Sequence, residues 1–170
     1  MKSTSWIRWS LAIIAVASLS PLTLAGNADF DRLLSLKGEW VRAAEDGSPE
    51  GDEVISIWRV TAAGTTVMET LFPGTEHEMV TAYHTNGDDG LAMTHYCAGG
   101  NQPRMEAAAD GGEIHFVHAG GDNVDDENVP HMHEMTLKFV DEDHVVAHWS
   151  HHADGKEDHG MTFNLVRKRH

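Results

Sequence analysis

The stretch Thr94-His95-Tyr96-Cys97-Ala98-Gly99-Gly100-Asn101-Gln102-Pro103-Arg104-Met105 gathers more chemically capable side chains than any other segment of this 170-residue chain. It holds the only cysteine, with a histidine two residues before it. Imidazole beside a thiol has two chemical uses. It lowers the thiol's pKa and favours a nucleophilic thiolate. On one face of a strand, the same pair can also ligate a metal. A catalytic thiolate further needs oxyanion donors and an orienting third group. Asn101, Gln102 and the Gly99-Gly100 backbone are candidate donors. The same residues also suit a tight corner, in which Pro103 fixes the chain and the amides satisfy turn carbonyls. The simpler structural account of Cys97 is a buried, inert thiol, because free cysteine is often fully buried.

Histidine is the second chemical signal, with thirteen in the chain. Imidazole is the commonest transition-metal ligand. His131-Met132-His133 places two imidazoles on one face of an extended strand, about 7 Å apart. Facing His95 and Cys97, they would complete a His3Cys set suited to zinc or copper. The Cys-x-x-Cys and His-Glu-x-x-His spacings are absent. His151, His152, His159 and His170 read as solvated. Arg104 is one of few cations in an acidic chain. Turned inward it needs a counter-charge such as Glu69 or an anionic ligand group; turned outward it is screened by neighbouring acids. The pairs Gly99-Gly100, Gly111-Gly112 and Gly120-Gly121 precede no helix and read as turn or loop glycines rather than phosphate cradles. No carboxylate pair for acid–base chemistry can be identified. Trp58, Trp149, Met68, Met79, Met93 and Met135 read as core.

The elements that must position these residues are almost all strands. Asp29–Leu36 has near-helical apolar spacing, a cap at Asn27 or Asp29, and Gly38 beyond its end. Strand-like runs follow at Gly38–Ala43, Glu53–Ala62, Thr65–Phe72, His77–His84, Leu91–Cys97, Pro103–Ala109, Glu113–His118, His131–Val140, His144–His151 and His159–Lys168. Turn signals such as Pro73-Gly74, Asn86-Gly87-Asp88-Asp89-Gly90 and Asp154-Gly155-Lys156 separate them. About ten short strands at hairpin spacing predict an all-β antiparallel meander, a sandwich or a barrel. The longest predicted loop is Ala119–Pro130. Period-two alternation puts Leu91, Met93, His95 and Cys97 on one face, and His131, His133, Met135, Leu137 and Phe139 on another, opposite Met132. Ile114, Phe116 and His118 form a third apolar set. An interior carrying these polar groups needs internal partners, trapped water or a ligand.

Composition sets the compartment and the partners. Lys2 and Arg8 precede an apolar run, Leu11–Leu19, and small residues follow around Ala25. This is the pattern of a secretory signal peptide. The run is too short for a span of roughly 20 residues. The expected division is a signal segment at residues 1–25, with Ala28 as a second cleavage choice, and one domain at 26–170. An uncleaved segment would be the only membrane link. No cysteine follows the apolar core, which argues against a lipoprotein anchor. The net charge of -15 repels phosphate backbones, so nucleic acid is not an expected partner. The acids cluster in turns such as Asp125-Asp126-Glu127 and Asp141-Glu142-Asp143, as on a solvated face.

Gly38-Glu39-Trp40 at the start of the first strand, preceded by a short helix, resembles the Gly-x-Trp signature of the calycins, the lipocalin and fatty-acid-binding superfamily. The resemblance implies a barrel closed at one end by Trp40, with Arg167 from the last strand packed across the indole. The strand number resembles the fatty-acid-binding and nitrobindin-like barrels. The nitrobindin pattern Gly-x-Trp-x-Gly-x-Gly does not continue here, since Val41-Arg42-Ala43-Ala44 follows Trp40. The Thr94–Met105 stretch is similar to that of uncharacterised secreted bacterial proteins with such barrels, a likeness that supplies no activity.

The expectation is a periplasmic or secreted calycin-like barrel that binds a small molecule in a partly polar, histidine-lined cavity. The expected lining is Tyr83, His95, Cys97, Arg104, His118, His131, His133 and Trp149. His95 and His133 would orient the ligand, and Arg104 would meet an anionic group. The alternatives are a metal- or haem-binding protein using His95, Cys97, His131 and His133, and a cofactor-independent enzyme in the cavity.

Overall fold

The computed structural model describes residues 27–87, 90–108, 112–126 and 128–169. The expected signal segment, residues 1–25, lies outside them. The chain as described begins with helix α1 (Ala28–Ser35). The Asn27 side chain accepts the N–H groups of Asp29 and Phe30 at 3.1 and 3.0 Å, satisfying two donors that a helix start leaves open. Asp29 and Asp31 in the first turn favour the positive end of the helix dipole. A cleavage after Ala28 would remove the Asn27 cap, whereas one after Ala25 keeps it.

Ten strands follow: β1 (Gly38–Ala43), β2 (Pro49–Thr61), β3 (Thr66–Leu71), β4 (Met79–Asn86), β5 (Gly90–Tyr96), β6 (Gln102–Ala108), β7 (Ile114–Asp122), β8 (His131–Asp141), β9 (His144–Ala153) and β10 (Lys156–Arg167). Each pairs antiparallel with its sequence neighbour, and β1 pairs with β10, so the sheet closes into a barrel without edges. This is the all-β meander barrel the turn spacing predicts.

Several boundaries differ from expectation, among them the start of β2 at Pro49 rather than Glu53 and the shift of β4 to Met79–Asn86, and two of the differences have identifiable reasons. Strand β10 begins at Lys156, three residues before the expected His159, because Asp154 and Gly155 both take positive φ, 53° and 71°. That is a two-residue type I′ hairpin, which carries pairing up to Ala153↔Lys156. Strand β7 runs through Gly120 and Gly121 into the expected loop. Gly121 lies opposite Pro103 at a register shift in the β6–β7 pair. A Cβ there would stand 2.5 Å from the Gln102 carbonyl oxygen and 2.7 Å from Pro103 Cα. The glycine therefore permits a close backbone approach within the sheet rather than marking a loop. Gly121→Ala, at φ 151°, is expected to lower the melting temperature by several degrees, as strain or local separation of β6 from β7 sets in.

Helix α1 closes one end of the barrel. Phe30, Leu33 and Leu36 are buried there beside Trp40. The Trp40 indole N–H donates to the Leu36 carbonyl at 2.8 Å. The Arg167 guanidinium lies 4.5 Å from the Trp40 ring centroid, as the Gly-x-Trp resemblance implies. Gly38, the first residue of that signature, leaves room for it: a Cβ would meet Arg167 Nη1 at 3.2 Å. Asn27 donates to the Gly90 carbonyl and Arg32 to that of Gly112, fastening the helix across the strand starts. Gly90 begins β5, whereas His95 stands near the other end of that strand. The chemistry-bearing residues therefore lie toward the end away from the helix.

Candidate ligand site and histidine cluster

Register places one interior row across four consecutive strands: Trp58 on β2 opposes Glu69 on β3, Glu69 opposes Thr81 on β4, and Thr81 opposes His95 on β5. Paired residues of an antiparallel sheet share a face. Glu69 also alternates with buried Val67 and Leu71, which fixes its inward direction. Glu69, Thr81 and His95 are all at most 2 % exposed. Two sets of hydrogen bonds hold them. The Ser56 hydroxyl donates to Glu69 Oε1 at 2.9 Å, and the Tyr83 hydroxyl donates to Oε2 at 2.7 Å. Thr81 Oγ1 and His95 Nδ1 are 2.9 Å apart. Trp58 stacks on Tyr83 with ring centroids 5.3 Å apart, excluding water from that side of the phenol.

Burial sets the electrostatics of this row. Glu69 is pushed up to about 7 by desolvation of its carboxylate, against the opposing effect of the Tyr83 and Ser56 hydrogen bonds. Tyr83 is raised well above the ordinary phenol value by burial first and the Glu69 charge next, while the Thr81 hydroxyl acts in the opposite sense, as a donor to the phenol oxygen does. When His95 carries its proton on Nδ1, it donates to the Thr81 oxygen. In that tautomer His95 Nε2 is a lone-pair acceptor. Burial lowers His95 to about 4, so its imidazole is neutral at physiological pH.

Among the described residues, His95 Nε2 is buried with no hydrogen-bond partner. The His95 ring lies 4.8 Å from that of Trp149. Both border a void of about 10 Å³, lined also by Leu71, Met79, Met132, Met161 and Phe163. A void of that size holds about one water molecule and does not admit a haem macrocycle. Met79 is its outer wall. On the other side of Met79 lies an apolar surface groove of about 390 Å³, bounded by Phe72, Thr75, His77 and Ala98. A larger recess of about 460 Å³ borders Arg167, Lys168 and Arg169. Asp46, Asp52 and Asp141 line it as well, and Asp143 pairs with both Arg167 and Arg169.

A second constellation forms at the start of β8. A register shift between Met132 and Glu134 makes His133 an extra residue on β8 relative to β9. Strict alternation, which put Met132 opposite His131 and His133, therefore fails here. Met132 turns to the void beside His95 and Trp149. His131 and His133 converge instead on His118 of β7, with ring centroids 4.5 and 5.0 Å from it. His131 Nε2 and His133 Nδ1 are 3.0 Å apart. His131 Nδ1 is 2.6 Å from the Val129 carbonyl, so Nδ1 carries the proton and Nε2 the lone pair. His152 of β9 stacks on His133 at 3.8 Å and 5°. His133 is held below the ordinary histidine range, by burial first and then by the nearby imidazoles of His152, His118 and His131.

The expected lining residues thus divide. Tyr83, His95 and Trp149 meet in the barrel interior, and His118, His131 and His133 meet in the cluster. Cys97 is half-buried at the β5–β6 turn, where its sulfur accepts the Gly99 N–H at 3.4 Å. It borders a recess with Asn101 and His131 but is not within the three-histidine group. The His95, Cys97, His131, His133 set is therefore replaced by His118, His131 and His133. The inward role of Arg104 is also corrected. Arg104 is exposed between buried Pro103 and Met105, because β6 alternation turns it outward. Sequence reasoning missed Ser56 and Thr81, read His152 as solvated, and took Glu69 only as a counter-charge. The signal for Glu69 was available in the alternation Val67-x-Glu69-x-Leu71.

No protein-family model matches this chain, and no curated protein matches its sequence.

Proposed function

We propose that this chain is a secreted or periplasmic calycin-type barrel that binds a small, uncharged, mainly apolar molecule carrying one hydrogen-bond donor. The observation that carries this reading is His95 Nε2, a buried nitrogen without a partner at an apolar void, which is an acceptor when Nδ1 carries the proton. An unsatisfied buried acceptor costs about 1–3 kcal/mol, which a ligand O–H or N–H would recover. Met79 separates the void from the outer groove, and Met132 and Met161 line the same space. Methionine is flexible enough to move aside for a guest. With Met79 displaced, void and groove join into a space at the lower end of the range for small-molecule pockets, about 300–1,000 Å³. The preference for an uncharged ligand follows from the interior charges. Among the described residues no lysine or arginine is buried, and the one buried carboxylate is Glu69. A carboxylate headgroup of the kind fatty-acid-binding barrels take would find no cation inside.

Phenol and indole are suitable probes, each having one donor on an apolar ring. Titration calorimetry is expected to show binding to the wild-type protein. His95→Phe should weaken it about tenfold, the worth of one hydrogen bond. Met79→Trp should abolish it by filling the entrance. Binding that is absent, or indifferent to both substitutions, removes the proposal.

A further inference from the structure

We propose that His118, His131 and His133 form a binding site for a divalent first-row transition metal of the zinc or copper class, separate from the His95 void. Three features of the fold build the site. The bulge at His133 turns two histidines of β8 onto a third from β7, so that one ligating nitrogen from each lies within 4.8 Å of the other two. Three nitrogens bound at about 2.0–2.1 Å in a tetrahedral arrangement stand roughly 3.4 Å apart. His131 Nε2 and His133 Nδ1, at 3.0 Å, are already at that spacing. Only a modest rotation of His118 is then required.

The second feature is orientation. Metal-bound histidines commonly donate their other ring N–H to a carbonyl, which fixes the tautomer and aims the lone pair. His131 does this with Val129. The Val129 segment is itself tied down, since the Asn101 side chain donates to the Pro130 carbonyl at 2.7 Å. The third feature is the His152 ring stacked flat on His133, which limits its rotation. In the absence of metal, His133 Nδ1–H can donate to His131 Nε2. Metal binding replaces that hydrogen bond, and His133 changes tautomer, so that its proton sits on Nε2 while Nδ1 ligates.

Donor type selects the metal. An all-imidazole set suits zinc, copper, nickel and cobalt and disfavours calcium and magnesium, which take oxygen ligands. The nearest carboxylate on β8, Glu134, is engaged with His115 at 3.2 Å. Three protein ligands leave a coordination position for water or an exogenous group. A second group, His151, Asp158 and His159, is more open: Asp158 and His159 are exposed. It serves as the internal control for surface binding.

The test uses the untagged protein and Co(II), followed by displacement with Zn(II). One equivalent of Co(II) is expected to bind with the intense visible absorption of a four-coordinate site and to leave on zinc addition. His118→Gln and His133→Gln, at half-buried positions, should each weaken zinc binding at least 100-fold, while the double variant His151→Gln, His159→Gln should not. Paramagnetic broadening by Co(II) in the unaltered protein locates the ion without any substitution, and is decisive if a variant misfolds. Broadening centred on His118 and His133 supports the site. Broadening centred on Asp158, or no stoichiometric binding, overturns it.

Discussion

From pH 4.5 to 7, the Glu69→Gln variant is expected to gain stability relative to the wild-type protein by roughly 3 kcal/mol. The cause is the raised pKa of Glu69, about 7 when folded against 4.5 for the model group. Between those values the folded state holds a proton that the unfolded state has released. That contribution is fully present below pH 4.5 and is lost as pH rises through 7. Glutamine carries no such term and keeps an acceptor for Ser56 or Tyr83. His95 acts in the opposite sense, because its folded pKa is lowered from 6.5 to about 4. Below pH 6.5 the unfolded state takes up a proton that the folded state refuses until about pH 4, so stability falls as pH falls. His95→Phe should remove that loss. Relative to the wild type, the variant should gain roughly 3 kcal/mol between pH 6.5 and 4. In the intact protein the two terms oppose each other between pH 4.5 and 6.5. Urea titrations at several pH values measure both. Parallel profiles for wild type and Glu69→Gln would contradict the buried-carboxylate assignment.

The other large effect is expected at the closed end. Arg167→Ala should cost about 2–4 kcal/mol, the range for removing one partner of a well-engaged charged hydrogen-bond network. For a domain of this size that is roughly a 10 °C drop in melting temperature. Arg167 donates to Asp143 Oδ1 at 2.7 Å and to the carbonyls of Ser35, Lys37 and Glu142 at 3.0, 2.7 and 2.9 Å. Two of these carbonyls belong to the end of α1 or the link beyond it, and the same guanidinium covers Trp40. Arg167→Lys should recover little, since a point ammonium cannot serve carbonyls on three sides or stack on an indole. Scanning calorimetry checks this. A melting temperature unchanged in Arg167→Ala would mean that Trp40 and α1 hold the barrel end without it.

The strand pattern was legible because turn glycines and prolines punctuate nearly every hairpin, and alternation fixed most faces. The same alternation read the inward direction of His95 correctly, since β5 is regular from Leu91 to His95. It failed at His131–His133 because a bulge inserts a residue there, and no local residue type announces a bulge. Arg104 was misplaced for a different reason. Its chemistry in an acidic chain argued for a ligand, while Pro103 and Met105 on either side already marked the buried face of β6. The hydrogen-bonded row escaped notice because Ser56, Glu69, Thr81 and Tyr83 are spread over three strands. Only register brings them together, and register between strands is not written in any one of them. The acidic surface, by contrast, gave no hint that a carboxylate was buried. Nor did the conspicuous Cys97 prove central: the interior row ends two residues before it, at His95.

The central claim is that neutral His95 presents Nε2 to a ligand entering past Met79. Imidazole nitrogen resonances of selectively labelled histidine measure this directly. The account predicts that His95 stays neutral from pH 5 to 8 with the proton on Nδ1. It further predicts that phenol shifts the Nε2 resonance in the wild-type protein and not in Met79→Trp. A His95 that titrates near 6.5, carries its proton on Nε2, or ignores phenol would contradict it.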